Sequence, residues 1–374
     1  MIPNISHLYQ NVDKARPWLA ALLAVLMIFI GACKAQVQVQ SAIPDLPECH
    51  IIFDAGSKGT RLYIYEQTAD GWLKHAGPRT DALADPVRGI RGKDLSDINQ
   101  VVDDLVVALE DMRRGGFLNN AGNRRVPAFD WRTRCRLKAA SVFATAGMRM
   151  AEQENAAASE LLWNQLNEAL SQSVGIEVTT RTISGIEEGL YSWLAIREEQ
   201  ADDRFGMVEM GGASVQLTYP CEDCPGSRVV RVKGSDVAIA SYSFLGWGQD
   251  EAWKTFGSVP ACARGAGKDN PDWQVSDCAA SVPVRDEREA FSVGERQDLR
   301  WYLAGAFQYM QELDIEHFCR LGLDSGFEPY SSCFRAIYLE DLLRTLGVSP
   351  GSEKSILDWT LGAVVCKTTQ CMAK

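Results

Sequence analysis

The sequence predicts an α/β fold built of two similar halves that enclose a cleft. The first observation is a β-hairpin with a glycine-rich turn in the stretch Ile51–Tyr65, which reads IIFDAGSKGTRLYIY. The second is the return of this pattern in Met207–Tyr219, MVEMGGASVQLTY, where an acid, a glycine and a leucine recur after 155 positions. The third is the order of elements, because each hairpin is followed by further strands and then by helices.

The first hairpin has the chemistry of a phosphate-binding turn. An apolar run typical of a buried strand ends at Asp54, Gly56 and Gly59 bracket a tight loop, and an alternating run follows. Such a loop can direct its backbone N–H groups and the hydroxyls of Ser57 and Thr60 into one concavity. The aspartate at its mouth can hold a hydrated divalent cation. This stretch alone leaves open a plain hairpin with a glycine turn.

The second hairpin supplies the same parts from the other half of the chain. Glu209 takes the place of the aspartate, and the loop contains Gly211, Gly212, Ala213 and Ser214. Two such loops facing each other across a cleft would hold a polyphosphate chain from both sides. A three-residue frame also recurs by chance, so the repeat alone only suggests a duplication.

Composition and charge limit the functions that the chain can have. Its 374 residues suffice for two domains, and 46% hydrophobic with 23% charged residues is typical of globular proteins. The net charge is −11, or −12 without residues 1–32, which argues against non-specific nucleic-acid binding. Three histidines remain after residue 32, too few for a histidine-based triad or metal cage. Hydrolytic chemistry would therefore need carboxylates and a metal.

The first 32 residues have the pattern of a bacterial export signal. Lys14 and Arg16 precede an apolar run, 18–30, that is short for a spanning helix and leads through small residues to Cys33. This ending resembles a lipobox, so we expect a lipid anchor on Cys33 and a tether over 33–48. The expected location is the outer membrane, periplasm or cell surface, or the medium after release. An uncleaved signal anchor is the alternative.

The other ten cysteines fit an exported protein with disulfides. Local pairs are expected across three short loops: Cys221 with Cys224, Cys262 with Cys278, and Cys319 with Cys333. The CxxC pair could instead be half a zinc site or a redox pair, but no second CxxC or paired histidines follow it.

Hydrophobic periodicity outlines the remaining elements. In the first half it predicts strands over Gly71–Ala76, Lys138–Ala144 and Ile176–Thr182, and helices over Asp97–Arg114 and Glu152–Ser173. In the second half, which begins at Phe205, it predicts one strand between Arg228 and Tyr242 and long helices over Glu287–Leu313 and Phe334–Leu346.

Five blocks, in order, give the chain a resemblance to a known family. They read IIFDAGSKGTRLYIY, FATAGMRM, SGIEEGLYSW, VEMGGASVQLTY and YSFLGWGQDEA, and the closing LDWTLGAVV is similar too. They resemble the apyrase conserved regions of the nucleoside triphosphate diphosphohydrolases (ecto-NTPDases), in the actin, Hsp70 and sugar-kinase superfamily. The resemblance implies an α/β fold with two ribonuclease H-like (actin/Hsp70-type) domains and an interdomain nucleotide cleft.

The resemblance also implies an organisation and an activity. We expect domain I at 49–182, domain II with helical insertions at 183–350, and a C-terminal helix at 351–374 that returns to domain I. The expected activity is hydrolysis of nucleoside tri- and diphosphates to the monophosphate outside the cytoplasm, dependent on Mg²⁺ or Ca²⁺. Water activated by a glutamate would attack directly, and we expect a monomer.

The catalytic candidates lie in the second, third and fourth blocks. The family's catalytic glutamate precedes the glycine and aromatic part of the third block, and Glu188 is the position that matches. Glu187 competes with it, and both acids could instead simply favour the start of a helix. Thr145 is expected beside the attacked phosphate, and Ser214 and Gln216 beside the water.

The two hairpin loops are expected to bind phosphate, and their acids to hold the metal through water. The phosphate-binding candidates are Ser57, Lys58, Gly59, Thr60, Gly211, Gly212, Ala213 and Ser214, and the metal candidates are Asp54 and Glu209. Lys58 stands where a small hydroxyl residue is usual in the family, and Glu209 where aspartate is usual. Arg149 would either brace the carboxylates or contact phosphate. Trp247 and Tyr330 are candidates for stacking on the base.

Three other functions stay open. An exopolyphosphatase or a guanosine-tetraphosphate phosphatase would belong to the same superfamily, although an acidic chain is a poor match for polyphosphate. A surface lipoprotein could also bind nucleotide without turnover. Glu188 argues against that alternative, because binding alone needs no base.

Overall fold

The computed structural model describes residues 46–119, 121–200, 202–256, 259–268, 270–281, 298–312, 314–323 and 331–372. A five-stranded mixed sheet forms its first half. The strands are β1 (Glu48–Gly56), β2 (Gly59–Thr68), β3 (Gly71–Thr80), β4 (Arg136–Ala144) and β5 (Val178–Thr182), in the order β3-β2-β1-β4-β5. The first three strands are antiparallel, whereas β4 and β5 run parallel to β1. All five strands predicted in this half are confirmed.

Both faces of this sheet are covered, because successive side chains of a strand point to opposite faces. Ile51 and Phe53 of β1 pack against a helical layer on one face. Ile52, between them, lies in a second core that also contains residues of the other sheet. The central strand therefore reads as an uninterrupted apolar run.

Five helices accompany the first sheet, and one of them corrects a prediction. They are α1 (Ala84–Arg88), α2 (Ile98–Arg114), α3 (Trp131–Arg134), α4 (Ala146–Glu154) and α5 (Ala156–Val174). The predicted single helix Glu152–Ser173 is wrong at its start. Asn155 leaves the helical conformation, with φ −153°, and its Oδ1 accepts the backbone N–H of Ala158 at 3.1 Å. One helix ends there and the next is capped by the same residue.

A six-stranded sheet forms the second half. Its strands are β6 (Phe205–Met210), β7 (Ser214–Pro220), β8 (Arg228–Val232), β9 (Ser235–Leu245), β10 (Arg300–Gly305) and β11 (Glu353–Lys354), in the order β11-β10-β6-β7-β9-β8. The two strands predicted around the Gly-Gly loop are β6 and β7. The single strand predicted between Arg228 and Tyr242 is instead a hairpin, β8–β9, whose turn at Lys233 and Gly234 has positive φ at both residues.

The long helix predicted over Glu287–Leu313 is wrong in its described part. Residues 300–305 form β10, parallel to β6, and a 3₁₀ helix follows at Ala306–Glu312; residues 287–297 and 313 lie outside the described residues. The run from Trp301 to Ala304 is buried between layers. A short apolar run of this kind has no periodicity that separates a buried strand from a helix.

The other described helices cover the second sheet and join it to the first. They are α6 (Gly185–Glu199), α7 (Gln249–Phe256), α8 (Val275–Ala279), α9 (Ser332–Leu346) and α10 (Trp359–Thr369). α9 confirms the helix predicted at Phe334–Leu346. α6 and α10 cross closely and share a core with strands of both sheets. Tyr65 of β2 and Thr360 of α10 are joined by a buried hydroxyl–hydroxyl hydrogen bond of 2.8 Å.

Five disulfides tie the described chain. The three predicted local pairs form, and Cys49 pairs with Cys135 and Cys366 with Cys371. Cys33, the predicted lipid site, lies outside the described residues. Within the described part of the chain, no helix is both long and apolar enough to span a bilayer.

The crossing of α6 and α10 requires glycine at position 362, and this gives a stability prediction. A Cβ at Gly362 would lie 1.7 Å from the backbone carbonyl oxygen of Tyr191. Gly362→Ala should therefore lower the free energy of unfolding by about 2 to 4 kcal/mol, because the helices must move apart. Gly351→Ala is the control, since its Cβ would meet only Ser349 Oγ at 3.5 Å. Equal urea midpoints for the two variants would contradict this packing.

Candidate active site

The first glycine loop is a tight turn at the end of β1. Gly56 pairs with Gly59 in the antiparallel register, which leaves Ser57 and Lys58 at the tip. Gly59 has φ +155°, and a Cβ there would lie 2.8 Å from the carbonyl oxygen of Thr80. Only glycine allows β3 to approach so closely, so the loop is held rigidly against its own sheet.

The second loop is held by the start of α7. β6 ends at Met210 and β7 begins at Ser214, so residues 211–213 form the turn. The N–H of Gln249 donates to the carbonyl of Gly211 at 3.1 Å, and the N–H of Asp250 donates to that of Gly212 at 2.8 Å. These bonds fix the loop carbonyls on the side of α7.

The two loops face each other across one cavity. A Cβ at Gly212 would lie 2.4 Å both from Asp250 Oδ2 of α7 and from Ser57 Oγ of the first loop, so glycine here lets the loops approach each other closely. The cavity has a volume of about 570 Å³. Its lining includes Asp54, Ser57, Lys58, Thr145, Glu188, Glu209, Gly211, Gly212, Ala213 and Ser214. The fold thus gathers both acids and the third-block glutamate in one place.

The two glutamates of the third block have different environments. Ser184 caps α6: its hydroxyl oxygen accepts the N–H of Glu187 at 3.2 Å, and Glu187 Oε2 accepts the N–H of Ser184 at 2.9 Å. Glu187 also pairs with Arg181 at 2.8 Å. Glu188 is buried, 4% exposed, and lines the cavity. Glu187 therefore caps the helix, whereas Glu188 lines the cavity.

Glu188 is held by two donors that both reach Oε2. Arg149 donates from Nη2 at 2.8 Å, and Gln216 donates from Nε2 at 3.1 Å. The same two groups also donate to Ser214 Oγ, at 2.9 Å and 2.8 Å. Burial raises the pKa of Glu188 to about 7, with Arg149 opposing the rise and Asp54 adding to it.

The other two acids of the cavity are shifted in the same direction. Burial raises the pKa of Asp54, although an ion pair with Arg61 at 3.1 Å opposes the shift. Burial raises the pKa of Glu209 well above its usual range, and the charges of Glu188 and Asp54 raise it further. Glu209 Oε2 is enclosed and has no hydrogen-bond partner in the described structure. All three carboxyl groups are therefore harder to ionise than a solvated carboxyl group.

The two predicted metal-binding acids, Asp54 and Glu209, both line the cavity and lie on separate strands. Among the described residues, no group of three or more His, Cys, Asp or Glu side chains could hold a metal ion. Asp54 and Glu209 come from separate strand ends and could each reach a cation through water. The enclosed, unpartnered oxygen of Glu209 is the observation that fits this interpretation.

Three of the predicted phosphate and water contacts are placed elsewhere. Thr60 is buried, and its hydroxyl donates to the carbonyl of Asp81 at 3.1 Å, so that hydroxyl does not point into the cavity. Gly59 pairs at the base of the turn and is likewise outside the cavity lining. Gln216 is fully buried and does not line the cavity; it donates hydrogen bonds to Glu188 and Ser214 and so holds these two side chains in place. Thr60 faces away from the cavity because side chains alternate along β2, and its neighbour Arg61 lines the cavity.

A cluster that sequence reasoning missed joins the two loops. Lys58 Nζ pairs with Asp250 Oδ1 at 2.9 Å, and Arg335 of α9 donates to the same oxygen at 2.7 Å. All three residues line the cavity. Lys58 therefore bridges from the first loop to the helix that supports the second. Asp250 in the fifth block could have indicated this cluster, because it follows a glycine-rich turn at the start of a helix.

The base-stacking candidates are not brought to the cavity. Trp247 stacks on Phe244 with ring centroids 4.7 Å apart, packs against the second-sheet core, and is absent from the cavity lining. Tyr330 lies outside the described residues. Tyr309, which the sequence reasoning missed, lines the cavity and is 51% exposed.

Comparison with known proteins shows the family of this chain. Residues 47–260 match the model of the GDA1/CD39 (nucleoside phosphatase) family, which is more than half of the chain. The chain belongs to the GDA1/CD39 family. The resemblance noted from the five sequence blocks is thereby confirmed.

Curated relatives of this GDA1/CD39 chain are nucleotide-hydrolysing proteins by name. The ectonucleoside triphosphate diphosphohydrolase 8 of Bos taurus is 25% identical over 254 residues, covering 62% of this chain and 47% of the relative. The nucleoside-triphosphatase ntp-1 of Caenorhabditis elegans is 27% identical over 266 residues, covering 63% and 46%. The chain thus spans about half the length of these curated relatives.

Solved structures confirm the fold class of the GDA1/CD39 chain. A nucleoside triphosphate hydrolase of Neospora caninum superposes with a TM-score of 0.54 at 14% identity, covering 91% of this chain and 96% of that one. The Ppx/GppA protein of Aquifex aeolicus superposes at 0.51 and 14% identity, covering 86% and 98%. The predicted α/β fold with two actin-type domains is therefore confirmed, whereas the domain boundaries stay a prediction.

The gap between the loops gives a binding prediction for this GDA1/CD39 site. Gly212→Ala should weaken binding of a non-hydrolysable nucleoside triphosphate at least about ten-fold, because the new Cβ fills the space beside Ser57. Gly211→Ala is the matched control, since its Cβ would meet only Ser214 O at 3.8 Å. Isothermal titration calorimetry measures both affinities. An equal loss of affinity in the two variants would contradict the conclusion that the two loops face each other across the binding cavity.

Proposed function

We propose that the protein hydrolyses nucleoside tri- and diphosphates to nucleoside monophosphate and phosphate, outside the cytoplasm, with water as the direct nucleophile. The observation that carries this proposal is Glu188, a buried carboxyl with a pKa raised to about 7, in a cavity between two glycine loops. Membership of the GDA1/CD39 (nucleoside phosphatase) family and the names of the relatives support it.

Glu188 serves as the general base. A base works best when its pKa is near the working pH, because it is then both deprotonated and able to take a proton. Arg149 and Gln216 both bond to Oε2, which leaves Oε1 to accept the proton of a water. Ser214, whose Oγ accepts hydrogen bonds from Arg149 and Gln216, lines the cavity and helps to hold that water.

The loops bind and orient the phosphates. Ser57, Lys58 and the residues of the second turn line the space that a phosphate chain would fill, where loops of this kind can donate hydrogen bonds to phosphate oxygens. Thr145, at the start of α4, lies in the same lining. In the reaction, the water oxygen forms a bond to the terminal phosphorus while the bridging P–O bond breaks. The proton passes to Glu188, and the shortened nucleotide leaves with the bridging oxygen.

Asp54 and Glu209 would hold a divalent cation, Mg²⁺ or Ca²⁺, through water. The enclosed Oε2 of Glu209 and the mutual repulsion of the cavity acids both fit such a cation. When bound, it would supply positive charge to the phosphate oxygens. The cluster of Lys58, Asp250 and Arg335 adds one net positive charge to the same cavity.

The proposed location is outside the cytoplasm, with the lipid anchor on Cys33 and a monomeric chain. Five disulfides among the described residues suit an oxidising compartment. The relatives named as ectonucleoside enzymes are in keeping with that setting.

The test is phosphate release from ATP and ADP by wild type, Glu188→Gln and Glu187→Gln. Glu188→Gln should lower kcat by roughly 10² to 10⁴ with little change in KM, because it removes the base and keeps the shape. Glu187→Gln should retain activity within about ten-fold, since Glu187 serves the helix cap. EDTA should abolish turnover in every variant. Full activity of the Glu188→Gln variant would show that Glu188 is not the general base.

The fold similarity to a Ppx/GppA protein favours one second candidate, hydrolysis of polyphosphate or of guanosine tetraphosphate. Both compounds belong in the same assay. Faster phosphate release from polyphosphate or guanosine tetraphosphate than from ATP would favour this second function. Binding of ATP without any release would select a non-catalytic surface lipoprotein.

A further inference from the structure

One strongly basic surface lies far from the cleft. Residues 113–138 contain seven arginines and Lys138 against a single acid, Asp130, which gives this stretch a net charge of +7. The whole chain carries −11, so the remaining residues carry −18. We call the basic residues of 113–138 the basic edge. They lie on the end of α2, the following loop, α3 and the start of β4.

Ion pairs bring part of the basic edge together around one acid. Glu110 of α2 pairs with Arg113 at 2.6 Å, and it lies 3.7 Å from both Arg114 and Arg132. Three guanidinium groups thus share one carboxylate. Arg134, from the same short helix as Arg132, lies 3.8 Å from Glu66. The few acids at this edge are outnumbered by the cations.

The basic edge lies where the folded chain begins. Glu48, the first residue of β1, pairs with Arg136 at 2.7 Å and with Lys138 at 3.1 Å. The N–H of Arg136 also donates to the carbonyl of Pro47 at 2.8 Å. The phosphate loop is at the other end of β1, roughly 26 Å away at about 3.3 Å per residue. The basic edge therefore has no place in binding the substrate's phosphates.

Much of the basic edge is exposed and accompanied by an apolar side chain. The side chains of Arg114 and Arg134 are 69% and 59% exposed. Arg124 and Arg125 are exposed as well. Leu118, 55% exposed, is joined to Arg125 by an isolated β-bridge. Cations beside an exposed leucine suit a lipid surface, where headgroup phosphates meet the acyl boundary.

We propose that the basic edge rests on an anionic phospholipid surface and turns the cleft toward solvent. The predicted anchor at Cys33 lies 15 residues before Glu48, the start of β1, so its tether joins the folded chain at this edge. An anchor on a tether does not fix orientation, whereas a cluster of arginines beside it binds anionic lipid. The acidic remainder of the chain is repelled by the same surface. The inference uses the predicted anchor and not the proposed hydrolysis.

The test measures partition of the full chain onto phosphatidylcholine vesicles with and without phosphatidylglycerol. The double variant Arg114→Gln/Arg124→Gln should bind the anionic vesicles about 25-fold more weakly than wild type, since each arginine near the surface contributes about five-fold. Binding to pure phosphatidylcholine should not change. Added salt should reduce the wild-type preference for anionic vesicles.

A matched control removes the same charge elsewhere. Arg204 and Arg344 are exposed, with side chains 76% and 66% accessible, and lie outside the basic edge. Arg204→Gln/Arg344→Gln should change vesicle binding less than about two-fold. An equal loss in both doubles, no wild-type preference for anionic vesicles, or tighter binding to duplex DNA at the same salt would overturn the proposal. Unchanged unfolding midpoints show that the variants are folded.

Discussion

The site depends on the enclosure of three carboxyl groups, those of Asp54, Glu188 and Glu209, in one cavity where burial disfavours the ionisation of each. Asp54 raises the pKa of Glu188, and both raise that of Glu209. Arg149 and Arg61 oppose these shifts. Like charges placed together in a desolvated site disfavour ionisation and destabilise the empty fold. A divalent cation held beside these carboxyl groups, as proposed above, would relieve this repulsion.

The fold meets this constraint by bringing the acids from separate elements into fixed positions. Asp54 lies near the end of β1, Glu209 lies near the end of β6, and Glu188 lies in the first turn of α6. Glycines set the approach of α6: a Cβ at Gly185 would lie 1.9 Å from Ser243 Oγ, and one at Gly189 would lie 2.5 Å from Thr218 Oγ1. The helix therefore lies directly on β7 and β9, which brings Glu188 to Gln216.

Local patterns predicted the parts of the site but not its connections. The hairpins were predictable because their turns need glycine and their strands alternate, and Glu188 was separable from Glu187 through the family motif. Thr60 was misplaced because a two-residue turn reverses which neighbour faces the cavity. β10 was mistaken for helix because buried parallel strands lack alternation. The Lys58–Asp250–Arg335 cluster joins residues distant in sequence, so only the tertiary fold reveals it.

The pH dependence of kcat/KM tests the central claim most directly, because this ratio reports ionisations of the free enzyme. With the pKa of Glu188 raised to about 7, the base is deprotonated above that pH and protonated below it. We predict that kcat/KM for ATP falls about ten-fold per pH unit below pH 7, and that the residual activity of Glu188→Gln lacks this limb. A wild-type limb near pH 4 to 5, the ordinary range of a solvated glutamate, would contradict the account.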